Sequence, residues 1–248
     1  MALQNSANMI SYMAFRKLVG LVAIALPIFV WVGAYVLEAI PMQDSISAYY
    51  YTSMRDVFVG LLCAAGVFLC LYRSGSKLDA AATIIAGAAV MSIALLPMDP
   101  VYDPIIQQRF PAFSATMCYV NHGPLKFHFI ASVVFFLSIG FLTIFRFPLT
   151  KERLITPQKK RRNAVYFLCG LTMIVGIVII GIQGMRQGSI FWPEAFAIGA
   201  FGVAWLTKGQ AILKDKEHQR TIPVAGLPNR WGWGKGGPRQ DSGAAASV

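Results

Sequence analysis

Charge is scarce in this chain. Only 13% of its 248 residues are Asp, Glu, Lys or Arg, about half of the roughly 25% found in a soluble domain. With 56% hydrophobic residues, that shortage excludes an ordinary water-soluble enzyme and a disordered chain alike. Cysteine is also scarce: Cys63, Cys70 and Cys169 lie inside apolar stretches, and Cys118 has no mate outside them. A disulfide framework is therefore excluded, as is a CxxC metal or haem-attachment motif. GxxxxGK[ST], HExxH and GxSxG are missing too, which sets aside the ATPase, zincin and serine-hydrolase families that carry them. Acids are outnumbered 11 to 22 by Lys and Arg, for a net charge of +11. Twelve of the bases fall between Arg146 and Arg220, mostly in short polar stretches beside apolar blocks. No aromatic-rich basic groove interleaves with them, so they read as topology signals and lipid-headgroup contacts, with no nucleic-acid partner.

What is present is a series of apolar blocks, and these predict an all-α polytopic membrane bundle of six transmembrane helices. The blocks run over about Leu18–Ile40, Val57–Tyr72, Leu78–Leu96, Leu125–Phe145, Ala164–Gln183 and Ile190–Leu206. Each is near the roughly 20 residues a helix needs to cross the hydrocarbon core, the second and sixth being short. Helices follow because lipid offers no partner to an unpaired backbone group. With a cytoplasmic N-terminus, 18 of the 22 basic residues fall inside, leaving Arg55, Arg109, Lys126 and Arg186 outside. That bias predicts both termini in the cytoplasm. Arg16 and Lys17 precede an apolar run too long for a signal-peptide core, so the first block reads as an uncleaved span. Two regions are expected: a transmembrane domain over residues 1–215, and a flexible basic tail over 216–248 that contains Trp231, Trp233 and a Gly/Ala/Ser run.

Under this topology the outward side gathers Glu38, Asp44, Asp56, Asp99, Asp103, Glu194, His122 and His128. Ionisable groups at membrane depth are costly unless they face the bundle interior or water, so they point to function. The densest stretch is Gln43 to Asp56, where Ser45 and Ser47, three consecutive tyrosines and Arg55-Asp56 precede the second helix. One reading makes it a binding loop over the mouth of the bundle. The other makes it an interfacial aromatic belt, with Asp56 serving the helix start. The candidate ligand-binding residues are Ser47, Tyr50, Tyr51, Arg55, Asp56, His128 and Glu194; catalytic residues are not assigned. His122, His128 and Asp56, with Glu194, would supply ligands to a zinc ion if they met. The alternative has His128 hydrogen-bonded to a neighbouring helix and His122 solvated. Pro193 and Glu194 suit the first turn of a helix without any ligand. Ala195, Gly199 and Gly202, with Ala80-Ala-Ala and Ala86-Gly-Ala-Ala, read as close-packing seams.

Ser45 to Gly60, together with His128 through Phe135-Phe136 and Phe191 through Gly209, resembles an uncharacterised family of bacterial six-span inner-membrane proteins. The resemblance covers most of the chain up to about residue 215. It implies a multi-pass protein of the bacterial inner membrane and no particular activity. Ser47, Asp56 and His128 also bear a weaker likeness to parts of the zinc site of ceramidase-like membrane hydrolases. This chain lacks their HxxxH pair, has six expected spans where they have seven, and places Tyr51 where a histidine is wanted.

Three functions follow. The favoured one is an inner-membrane protein with an outward polar pocket that binds a lipid or small molecule, or docks as an accessory subunit of a larger complex or homo-oligomer, needing no cofactor. The second is a zinc-dependent membrane hydrolase of a lipid amide or ester. The third, a transporter, ranks last because the span midsections hold almost no ionisable groups.

Overall fold

In the computed structural model the described residues are 2–72, 76–98, 127–149, 157–186 and 188–209, with side chains described from residue 13 onward. They contain six α-helices and no strand. These are α1 (Ala2–Glu38), α2 (Arg55–Leu71), α3 (Lys77–Leu95), α4 (Phe127–Phe141), α5 (Pro157–Met185) and α6 (Phe191–Lys208). A 3-10 helix over Ile46–Tyr51 precedes α2, and a π turn over Leu142–Arg146 prolongs α4. Four helical stretches are long and apolar enough to cross a membrane: Met13–Glu38, Lys77–Leu95, Phe127–Arg146 and Pro157–Met185. Two helices are not in that set. One is α2, with 17 residues; the other is α6, which carries Glu194 and Lys208 at its ends. The expected tail, 216–248, lies outside the described residues, as do Asp99, Asp103, Arg109, Cys118, His122 and Lys126.

Each helix packs on the next, and α6 returns to α1, so the six form a ring in chain order. Glycines set two of the crossings. A Cβ added at Gly66 would stand 2.9 Å from the Gly87 carbonyl oxygen, and one at Gly87 would stand 2.6 Å from that of Gly66. Gly20 and Gly202 repeat the arrangement between α1 and α6, at 2.8 and 2.6 Å. In both places backbone meets backbone, which only a missing side chain allows. Ala82, Ala86 and Ala89 are buried along α3, as its small-residue pattern predicts. Gly199 behaves differently: among the described residues nothing comes within 4 Å of a Cβ placed there.

The two ends of the ring are closed by different chemistry. At one end, fully buried Trp205 has the rings of Tyr72, Phe147, Phe201 and Phe68 between 5.3 and 6.4 Å away. Basic side chains cover this cluster: the Arg16 guanidinium lies 5.0 Å from the Tyr72 ring centre, and Lys208 Nζ 4.8 Å from that of Phe147. The π turn brings Arg146 onto Asp79, an ion pair that Arg146 extends by donating to Ser76 Oγ at 2.9 Å. At the other end the 3-10 helix sits between α1, α2 and α6. The chain reaches it through Ala39, whose φ of 55° ends α1 in a left-handed capping turn, with Ala39 N–H donating to the Tyr35 carbonyl at 2.9 Å and Ile40 N–H to that of Ala34 at 3.4 Å.

Candidate functional site

The ring encloses a cavity of about 540 Å³. All six helices contribute to its wall, which is apolar over most of its length: Leu26, Leu62, Val90, Phe135, Ile180 and Ile198 are examples, one from each helix. Phe201, tilted against Trp205, lies at the aromatic end. The polar side chains of the wall are Ser45, Ser47, His128, Ser132 and Glu194, near the 3-10 helix. Such a volume is ordinary for a small-molecule site, roughly 300–1,000 Å³, as is a dry wall with a few polar groups.

Local sequence explains how the polar end is built. Ser45 caps the 3-10 helix, its Oγ accepting from Ser47 N–H at 3.1 Å. Its hydroxyl donates to Glu194 Oε2 at 2.9 Å, and Ile46 N–H donates to the same oxygen at 2.6 Å. Glu194 lies in the first turn of α6, where the helix dipole favours an acid, and from there it clamps the start of the 3-10 helix. The clamp is completed by Ile190 N–H, which donates to the Asp44 carbonyl at 2.7 Å. The three tyrosines are buried, not spread as an interfacial belt. Tyr49 packs edge-on to Phe191, Tyr51 donates to the Met98 carbonyl at 2.5 Å, and Tyr50 accepts from Arg55 Nη2 at 3.1 Å. Burial holds the Tyr49 phenol above its ordinary pKa, against the opposing effect of Gln43 N–H donating to its oxygen, so it stays neutral in its packed position.

His128 enters from the first turn of α4, buried, with both ring nitrogens engaged. Nδ1 is 2.8 Å from the Leu96 carbonyl oxygen and Nε2 is 3.0 Å from Ser47 Oγ. A carbonyl only accepts, so Nδ1 carries the proton. In the neutral ring Nε2 is then the acceptor for the Ser47 hydroxyl.

Of the residues singled out from the sequence, the structure therefore brings Ser47, His128 and Glu194 to one cavity. Tyr50, Arg55 and Asp56 line a separate, shallower hollow with Val59 and Leu95, and Tyr51 lines neither. His122 lies outside the described residues, among which no three His, Cys, Asp or Glu side chains gather to hold a metal. Sequence reasoning passed over three contributors. Ser45 enters the sequence reading only as one of two hydroxyls before the second helix, although it stands two residues before Ser47. Leu96 and Ile46 act through backbone atoms, which no residue type announces.

The cavity also reaches the side of the ring. Its lining includes Phe129, Gly184 and Met185, all exposed. At one end of the α4–α5 seam a Cβ on Gly170 would sit 2.3 Å from Ile144. At the other, a Cβ on Gly181 meets only Phe129, at 3.9 Å, and one on Gly184 meets nothing within 4 Å among the described residues. Among the described residues the two helices therefore close tightly beside Gly170 and loosely beside Gly184, next to exposed residues of the cavity lining. No protein-family model, curated protein or solved structure matches this chain.

Proposed function

We propose that this chain is an integral protein of the bacterial inner membrane, with six spans and both termini cytoplasmic, that binds a lipid-like amphiphile in the centre of its helix ring. The apolar tail lies along the wall built by Leu26, Leu62, Val90, Phe135, Ile180 and Ile198, and the polar end meets Ser45, Ser47, His128 and Glu194. The observation that carries this reading is the cavity itself: an apolar volume walled by all six helices, with its polar groups at one end. A solute transporter calls for polar groups along the whole path, whereas a binding site for an amphiphile calls for this division. The exposed lining at Phe129, Gly184 and Met185 gives an acyl chain a sideways route from the bilayer. The 18-to-4 distribution of basic residues supports the orientation, which puts the Ser47 end of the cavity on the outer side.

The test is crosslinking in membranes with a diazirine-bearing fatty acid and a diazirine-bearing phospholipid. Labelling is expected on lining residues such as Leu62 and Phe135, and Ala65→Phe, which fills the wall from α2, is expected to abolish it. Label confined to outward residues such as Val67 and Ile182, and indifferent to Ala65→Phe, would overturn the reading.

A further inference from the structure

We propose that Ser47 and His128 are a nucleophile and its general base, and that the bound amphiphile is an acyl ester which Ser47 cleaves through a covalent acyl-serine. This inference rests on the amphiphile-binding reading and adds a reaction to it. The geometry is that of an activated serine: Oγ stands 3.0 Å from Nε2, and the opposite ring nitrogen is held by an acceptor 2.8 Å away. Here the orienting group is the Leu96 carbonyl in place of a carboxylate. α3 ends at Leu95, so this carbonyl belongs to the negative end of the helix dipole. It fixes the tautomer that leaves Nε2 ready to accept, and it stabilises the imidazolium formed when the proton arrives. Both side chains are buried yet lie on the cavity wall, beside the apolar volume that would hold an acyl chain.

In the first step Ser47 Oγ bonds to the ester carbonyl carbon and its proton passes to His128 Nε2. The carbon–alkoxy bond breaks, and the leaving alcohol takes that proton. In the second step water attacks the acyl-serine, gives its proton to Nε2, and releases the carboxylic acid as Ser47 regains its hydrogen. No oxidant, reductant or metal is needed. The N–H groups of Ile46 and Ser47 are engaged by Glu194 and Ser45, so the turn does not assist the oxyanion and turnover is expected to be slow. Covalent capture of Ser47 is the sensitive readout.

The experiment treats the full chain, in membranes, with a long-chain alkyl fluorophosphonate, and locates the adduct by peptide fragmentation. The same sample is crosslinked in parallel with the diazirine fatty acid. Phosphonylation is expected at Ser47, absent in Ser47→Ala, and slowed by about 100-fold or more in His128→Gln. The Gln side chain retains a hydrogen-bond acceptor but cannot take the proton. Thermal stability of both variants checks that the fold survives. Crosslinking without any Ser47 adduct would overturn the acyl-serine and leave amphiphile binding standing. An adduct formed equally fast in folded His128→Gln would overturn the role of His128. Failure of both labels would overturn the binding reading and this inference together.

Discussion

Gly202 and Gly199 lie three residues apart on α6, and the structure assigns opposite consequences to giving each a methyl group. At Gly202 a Cβ would stand 2.6 Å from the Gly20 carbonyl oxygen and 3.2 Å from Ile24 N, both backbone atoms that cannot rotate away. Restoring an ordinary contact near 3.4 Å would require α1 and α6 to separate by about 0.8 Å at their closest point. Overpacking of this kind costs about 1–3 kcal/mol, which at about 2–4 °C per kcal/mol lowers the melting temperature by several degrees. Gly199→Ala meets no described neighbour. Its gain in helix propensity is about 0.5–1 kcal/mol, so the change should be neutral or slightly stabilising. Trp205, one turn beyond Gly202 and fully buried, is one of five tryptophans whose fluorescence follows thermal unfolding in detergent. Equal losses in the two variants, or an unchanged Gly202→Ala, would refute the claim that a backbone-to-backbone contact closes the ring.

Three further outcomes are expected. Ala39→Gly should stabilise the protein by about 0.5 kcal/mol, because relief of the left-handed backbone outweighs glycine's extra freedom in the unfolded chain; a lower melting temperature would contradict the turn at the end of α1. Asp79→Ala should cost about 3 kcal/mol by stranding Arg146. Adding Arg146→Met should recover most of that loss, whereas additive losses would mean the pair is not coupled. Gly184→Trp should slow uptake of the diazirine fatty acid severalfold while leaving the melting temperature unchanged, and unaltered uptake would remove the α4–α5 opening as the route of entry.

The helices were legible because lipid-compatible chains announce them: the six apolar blocks coincide with the cores of α1–α6. The ends shifted where polar residues extend a helix, as at Pro157–Asn163, which precedes the expected fifth block yet belongs to α5. The small-residue seams were legible as a class but not one by one. Gly202 touches Gly20 and Gly199 touches nothing described, and only rotation about the helix axis separates them. The site was partly legible for the same reason. Ser47, His128 and Glu194 stood out as polar residues near apolar blocks, but so did Arg55 and Asp56, which the start of α2 turns toward a different hollow. Hydroxyl and aromatic density marks the segment; the 3-10 geometry decides which side chain faces which wall.

That geometry also bears on the loose end of the α4–α5 seam. Ser45 is the extended N-cap of the 3-10 helix and Ser47 lies inside it, so the two side chains address different helices. Ser45 reaches Glu194 on α6 and Ser47 reaches His128 on α4. These helices are not adjacent in the ring, because α5 stands between them. The 3-10 helix thus bridges α4 and α6 across the cavity through hydrogen bonds, and holds that end of the ring together without tight packing of α5 against α4. On that side α5 carries Gly181, whose added Cβ would meet Phe129 at 3.9 Å, and Gly184, whose added Cβ would meet nothing within 4 Å among the described residues. The polar groups at this end of the cavity are therefore the same groups that tie α4 to α6 across it, beside the loosely packed end of the α4–α5 seam.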